Sequence, residues 1–196
     1  MDKEWEDRAA ALHPRLAVAT AAVIDCFAGG GKLLLCGNGG SAADCGHIAG
    51  ELLKGFLKKR PLPPELCAAV PGAAALQGGL PALDLTAQAP ALTAIANDLG
   101  GEAIFAQQVL AYGQPGDLLL GISTSGNAAN VLLAMHIARA RGLGTIALTG
   151  RGGGALAGAC DILLDVDETE TYRVQEKHLP LYHTLCAAVE AHFFAV

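Results

Sequence analysis

The sequence predicts an α/β fold, a doubly wound parallel sheet of five strands flanked by helices. Three observations carry the prediction. Short apolar runs, foremost KLLLC at residues 32–36 and LLLGI at 118–122, have the length of buried strands. Each of these two runs leads into a serine/glycine loop and then into a stretch with helical spacing, the strand–loop–helix unit of a parallel sheet. The 196 residues are 52% hydrophobic, enough for one compact domain with a full core.

In chain order, residues 4–28 read as one amphipathic helix, with Ala9, Leu12, Leu16, Ala19, Val23 and Phe27 at helical spacing and Gly29-Gly30-Gly31 stopping it. Its apolar face exceeds what a small sheet can cover, so residues 1–30 are expected to serve oligomerisation. The first strand, 32–36, is followed by a tight loop at Gly37–Gly40, and Ser41 is expected to cap a helix running to about Leu57. Residues 58–79 are rich in proline, glycine and alanine without a period, an insertion with room for a short helical turn. A second strand is expected at 80–85 and helices near 89–96 and 102–112. Pro115-Gly116-Asp117 turns the chain into the strand at 118–122, and a helix follows from about Asn127 to Arg141. Strands at 145–148 and 162–166 complete the sheet, and a last helix covers 171–194, with Pro180 inside it. There is no linker composition, so residues 1–196 read as a single domain.

Composition narrows the function classes. The formal net charge is −6 and no basic stripe is present, which argues against nucleic-acid binding. The one cationic cluster, Lys58-Lys59-Arg60, runs into Pro61, Pro63 and Pro64 and reads as a solvated loop. The charged N-terminus does not resemble a secretory signal, and no apolar run is long enough to span a bilayer. Six cysteines without a CxxC pair read as reduced, mostly buried thiols of a cytoplasmic protein.

Chemistry concentrates in two loops. In Cys36-Gly37-Asn38-Gly39-Gly40-Ser41-Ala42 the glycines permit a sharp turn and close approach of a ligand to main-chain N–H groups. The following helix aims its positive end at the same spot, which suits a phosphate. The spacing also fits the loose dinucleotide fingerprint, but the acidic residue that reading needs about twenty positions on is missing, the next strand ending near Asp84. The second loop, Ser123-Thr124-Ser125-Gly126-Asn127, offers three consecutive hydroxyls at a strand-to-helix junction, each able to donate to a phosphate oxygen. In a parallel sheet both loops lie beyond the carboxyl ends of the strands, where ligands bind.

CGNGGSAAD, HIAGEL, LLGISTSGNAANV, ALTGRGG and RVQEKHLPLYH, in this order, resemble the sedoheptulose-7-phosphate (phosphoheptose) isomerases of the SIS-domain superfamily, from about residue 15 to the C-terminus except 58–79. The resemblance implies a flavodoxin-like SIS domain and an aldose–ketose isomerase making D-glycero-D-manno-heptose 7-phosphate for cell-surface polysaccharide. It further implies a homotetramer with active sites between subunits, and zinc. Asn38, Gly39, Gly40, Ser41, Asn97, Asp98 and Gln175 would bind the sugar, and Ser123, Thr124 and Ser125 the phosphate. Glu51 and His183 would be the acid/base pair, with Glu51 also touching substrate, and His47, Glu51, Gln175 and His183 would be the metal ligands. Ala128 departs from the family, which has a serine there.

The residues support part of this independently. Enediol chemistry needs a base near the carbons and an acid near the oxygens. His47 and Glu51, spaced i, i+4, share a helix face and fit either an acid/base or a metal site. Gln175 and His183 are separated by roughly 12 Å of helical rise, so one ion binds both only across a bend at Pro180 or between subunits. Two other readings compete: a non-catalytic SIS protein that regulates by binding a replication initiator, and another phosphosugar enzyme with the same loops. Glu51 favours catalysis, because the non-catalytic relatives lack that glutamate.

Overall fold

The structure is a computed structural model describing residues 3–194. Two helices, α1 (Lys3–Leu12) and α2 (Leu16–Ala28), precede β1 (Leu33–Gly37) and α3 (Gly40–Leu53). A short α4 (Pro64–Ala69) lies in the insertion, followed by β2 (Ala82–Asp84), α5 (Ala89–Asp98) and α6 (Ala106–Tyr112). β3 (Leu118–Ser123), α7 (Ala129–Ala140), β4 (Gly144–Thr149), β5 (Ile162–Asp165) and α8 (Thr171–Phe193) complete the chain. The five strands are all parallel, in the order β2-β1-β3-β4-β5. This is the flavodoxin-like order, whose direction of winding reverses between β1 and β3.

The strands alternate between two cores. Leu33, Leu35, Leu118, Leu120, Ile122, Ile146 and Leu148 face a layer of α2, α3 and α8. Leu34, Cys36, Leu119 and Ala147 face the opposite layer, which includes Phe105, Val109, Val131 and Met135. All six cysteines are free, and burial pushes the Cys36 thiol up to about 12, an inert side chain.

Several local expectations are refined or corrected. The helix expected over 4–28 is two helices, because Pro14 lacks an N–H and disfavours a helical residue before it. Part of their apolar face is covered within the chain, Leu16, Ala19 and Val23 being buried in one cluster with Leu181, Leu185 and Val189 of α8, while Leu12 and Val18 stay exposed. Gly39, not Ser41, occupies the N-cap of α3, and Ser41 is buried in the first turn. That helix ends at Leu53 rather than Leu57, and Arg60 is no solvated cation but fully buried. Its guanidinium takes the carbonyls of Glu51 and Leu52 at the end of α3 and pairs with Glu190. α8 continues through Pro180; the carbonyl freed four residues back belongs to the exposed Glu176.

Candidate active site

At the switch point β1 and β3 end side by side, Gly37 level with Ile122, so the two loops that follow them converge. The turn out of β1 requires glycine at Gly39, whose φ of 56° is left-handed. Asn38 and Asn130 exchange two side-chain hydrogen bonds, each 2.9 Å, and tie the first loop to the first turn of α7. Between the loops lies a small cavity of about 160 Å³ lined by Asn38, Ser41, Ile122, Ser123, Thr124, Ser125 and Ala128. α3 and α7 both begin at this edge, and their positive ends favour an anion there. The Ser123 hydroxyl accepts the Ala128 N–H at 3.4 Å. At Ala128 the chain adds no hydroxyl of its own.

A second cavity of about 350 Å³ adjoins the first loop, lined by Gly37, Asn38, Gly39 and Ala42 together with Thr86, Leu92, Thr93, Ala96 and Phe105. Asn97 and Asp98 stand at the end of the helix that supplies this wall, exposed and joined by a 2.7 Å hydrogen bond. A larger cavity of about 590 Å³ opens at the opposite, amino end of the sheet, around Lys32 and Asp117. Asp117 there accepts from the backbone of Lys32 and Gln114 and from the Lys32 ammonium, a structural clasp.

The second half of the candidate site lies farther along α3. His47 Nε2 is 3.1 Å from Glu51 Oε1 and 3.3 Å from His183 Nε2. Donor atoms of His47, Glu51 and His183 all lie within 4.8 Å of one another. Behind His47, the Tyr182 hydroxyl is 3.1 Å from Nδ1 and donates to Asp44 Oδ1 at 3.1 Å. Burial, then the charge of His47, hold His183 below the ordinary histidine value against the pull of Glu51, so its imidazole is neutral near pH 7. Burial, then Asp44, raise the Tyr182 hydroxyl, which keeps its proton. Burial pushes the Asp44 carboxyl up, against the hydrogen bond from Tyr182 and the charge of His47.

α3 and α8 run alongside each other in the same direction, and this decides where Gln175 sits. A Cβ on Gly40 would collide with the Gln175 amide, so Gln175 packs at the start of α3, while His183 reaches His47 farther on. The structure therefore brings His47, Glu51 and His183 together within one chain and leaves Gln175 beside the serine/glycine loops. The ten residues from Ser41 to Glu51 correspond to about 15 Å of helix. The loop cavity thus lies at the start of α3 and the His/Glu/His cluster along its second half, His47 being about 9 Å of helix past Ser41.

The SIS domain family profile matches residues 3–78 and 71–150. The phosphoheptose isomerase of Nitratidesulfovibrio vulgaris (Hildenborough) is 49% identical over 168 residues, 86% of this chain and 73% of that protein. The phosphoheptose isomerase of Thiobacillus denitrificans is 47% identical over 188 residues, 94% of this chain and 87% of that one. The chain belongs to the phosphoheptose isomerase family. The solved phosphoheptose isomerase from Neisseria gonorrhoeae superposes with a TM-score of 0.78 at 38% identity, covering 96% of this chain and 92% of that one.

Within this phosphoheptose isomerase fold, sequence reasoning missed Asp44, Tyr182, Asn130, Arg60 and Glu190. Asp44 had a readable signal, lying one helical turn before His47 on the same face. Asn130 had none, and Tyr182 was hidden by its neighbour His183. Arg60 was masked by the lysines before it.

Proposed function

We propose that this protein interconverts sedoheptulose 7-phosphate and D-glycero-D-manno-heptose 7-phosphate as a cytoplasmic enzyme of cell-surface heptose synthesis. One observation carries the reading: a hydroxyl-lined cavity between two helix N-termini coexists with a convergent His47/Glu51/His183 cluster in a chain close to named phosphoheptose isomerases. The regulatory alternative is not favoured, since a protein that only docks a partner has no use for that cluster.

The loop cavity holds the phosphate through Ser123, Thr124 and Ser125, with Asn38, Gly39, Gly40, Ser41 and Gln175 beside it. Asn97 and Asp98 are assigned to the sugar hydroxyls. Isomerisation then requires a proton to leave C1 of the ketose while the C2 oxygen gains one, and the enediol to reverse this at C2 and O1. The Glu51 carboxylate takes the C1 proton and returns it to C2. The neutral His183 imidazole gives a proton to the C2 oxygen and takes one from O1.

The same cluster has a donor set suited to a divalent ion. The three side chains bring their donor atoms within 4.8 Å of one another, with His47 Nε2 at 3.1 and 3.3 Å from the other two, and the imidazole and carboxylate donors are those zinc takes. His47, Glu51 and His183 would hold zinc, and Gln175 would join them only from another subunit. Zinc would polarise the sugar carbonyl and its hydroxyl neighbour.

An extended heptose phosphate reaches roughly 10 Å at bond advances like those of a polypeptide. His47 lies six residues, about 9 Å of helix, past Ser41, so such a substrate spans from the loop cavity to the near edge of the cluster. Active sites shared between subunits and a homotetrameric assembly are part of this proposal. Leu53, Leu57, Leu66, Val70 and Leu76, all exposed on the single chain, offer apolar surface for it. Among the described residues no helix is long and apolar enough to cross a membrane. Incubation with sedoheptulose 7-phosphate, followed by NMR of the anomeric protons, tests the activity; an unchanged substrate spectrum rejects it.

A further inference from the structure

His47 offers two ring nitrogens, and only Nε2 faces Glu51 and His183. Nδ1 faces the Tyr182 hydroxyl, which in turn faces Asp44 Oδ1. Tyr182 has one proton and two neighbours that could receive it. A carboxylate is the stronger acceptor, because a charge-assisted bond is about twice as strong as a neutral one. Asp44 also needs it more. Its other oxygen, Oδ2, is buried without a partner, so giving the proton to His47 would strand the whole carboxylate. With the hydroxyl proton committed to Asp44, the Tyr182 oxygen has only lone pairs left for His47. Nδ1 must then carry a hydrogen.

We propose that Asp44 and Tyr182 are positioning residues that hold the proton of His47 on Nδ1 and so keep Nε2 as the open donor atom of the cluster. The edge-on packing of the Tyr182 ring against the His47 ring, with centroids 5.4 Å apart, fixes the ring plane as the hydrogen bond fixes the tautomer. The neighbouring His183 ring stands edge-on to His47 at 4.9 Å and closes the other side. Without Tyr182 the neutral ring would place its hydrogen on Nε2, where Glu51 Oε1 is an acceptor 3.1 Å away. That tautomer turns a donor atom into a blocked one. The device therefore opposes the hydrogen bond that His47 and Glu51 would otherwise make.

The functional meaning of an open Nε2 rests on the proposed metal and acid/base reading, but the tautomer itself does not. The test is nitrogen-15 NMR of the full-length protein without added metal, at a pH where the ring is neutral, the His47 signals being those lost in His47→Gln. In the wild type Nδ1 should be the protonated nitrogen; an Nε2–H ring would overturn the inference without any variant. Tyr182→Phe removes one oxygen and should move the proton to Nε2. Its zinc affinity, measured by competition with a chromophoric chelator, should fall about 10–100-fold, the usual loss when an outer hydrogen bond to a ligand is removed. A Tyr182→Phe protein that keeps both the Nδ1–H ring and its zinc affinity sinks the proposal. If the wild type shows the Nδ1–H ring and binds no zinc, the metal reading fails and the positioning role stands.

Discussion

Arg60 and Glu190 form a fully buried ion pair, Nε to Oε1 at 2.9 Å, between residues 130 apart in sequence. Glu190 also collects the backbone N–H groups of Phe56, Leu57 and Lys58, and Arg60 donates to the carbonyls of Glu51 and Leu52. The end of α3 has orphan carbonyls and the chain after it has orphan N–H groups; this one pair satisfies both. It also clamps the turn that carries Glu51 against the helix that carries His183. Replacing Arg60 with Met leaves a buried carboxylate without its cation. The loss should be about 3–5 kcal/mol, or a fall in Tm of roughly 6–20 °C for a chain of this size. Urea and thermal unfolding measure it, and a variant as stable as the wild type removes the clamp from the account.

Stability should fall in mild acid because of His178. The side chain is fully buried, and burial lowers its pKa to about 4 from an ordinary 6.5, only partly offset by its bond to the Thr149 carbonyl. The unfolded chain therefore binds a proton that the folded chain refuses between those values, and stability drops as pH falls from 6.5 towards 4. The contribution is ~3 kcal/mol over that window. Urea unfolding at pH 7 and pH 4.5 should show the drop, and His178→Leu should flatten it.

The phosphate cavity should discriminate by charge. A heptose 7-phosphate should raise Tm and the unphosphorylated heptose should not; equal shifts would remove the phosphate role from Ser123–Ser125. Ala128 lines that cavity without a hydroxyl. Ala128→Ser adds one hydrogen bond there and should tighten inorganic phosphate binding by about 0.5–1.5 kcal/mol, roughly 2–10-fold. Isothermal titration reads the difference.

Glu51→Gln keeps the size of the side chain and removes the base. Turnover should fall about 10²–10⁴-fold while the protein stays folded and still binds sugar phosphate through the loops. His183→Ala should lose a comparable amount. Near-normal turnover of Glu51→Gln would falsify the acid/base assignment, and loss of all substrate binding would make Glu51 a ligand instead.

Light scattering at micromolar concentration should give the mass of a tetramer. If sites are shared, mixed tetramers of Glu51→Gln and Ser123→Ala chains should regain activity, because some sites then combine an intact cluster with an intact cavity. Inactivity of the mixture, with each variant folded and assembled, would place both halves of the site in one chain.

The sequence by itself determined the sheet, its winding and the loops. Runs such as Leu33–Cys36 and Leu118–Ile122 have the length and unbroken apolar character of strands buried on both faces, and glycine and serine after each are a local backbone property. The i, i+4 spacing of His47 and Glu51 likewise sets their shared face before any packing. Only the tertiary structure decided what meets that face. Arg60 became a buried clamp because Glu190 lies opposite it, and no local rule distinguishes it from Lys58 and Lys59. Gln175 fell beside Gly40 and His183 beside His47 because α8 runs in the same direction as α3, a matter of how two helices pack on one sheet. Tyr182 acquired its place between Asp44 and His47 in the same way. Periodicity reports which side of a helix is apolar; the partner across the gap, and therefore the hydrogen bond that sets a ring nitrogen, exists only once the helices are side by side.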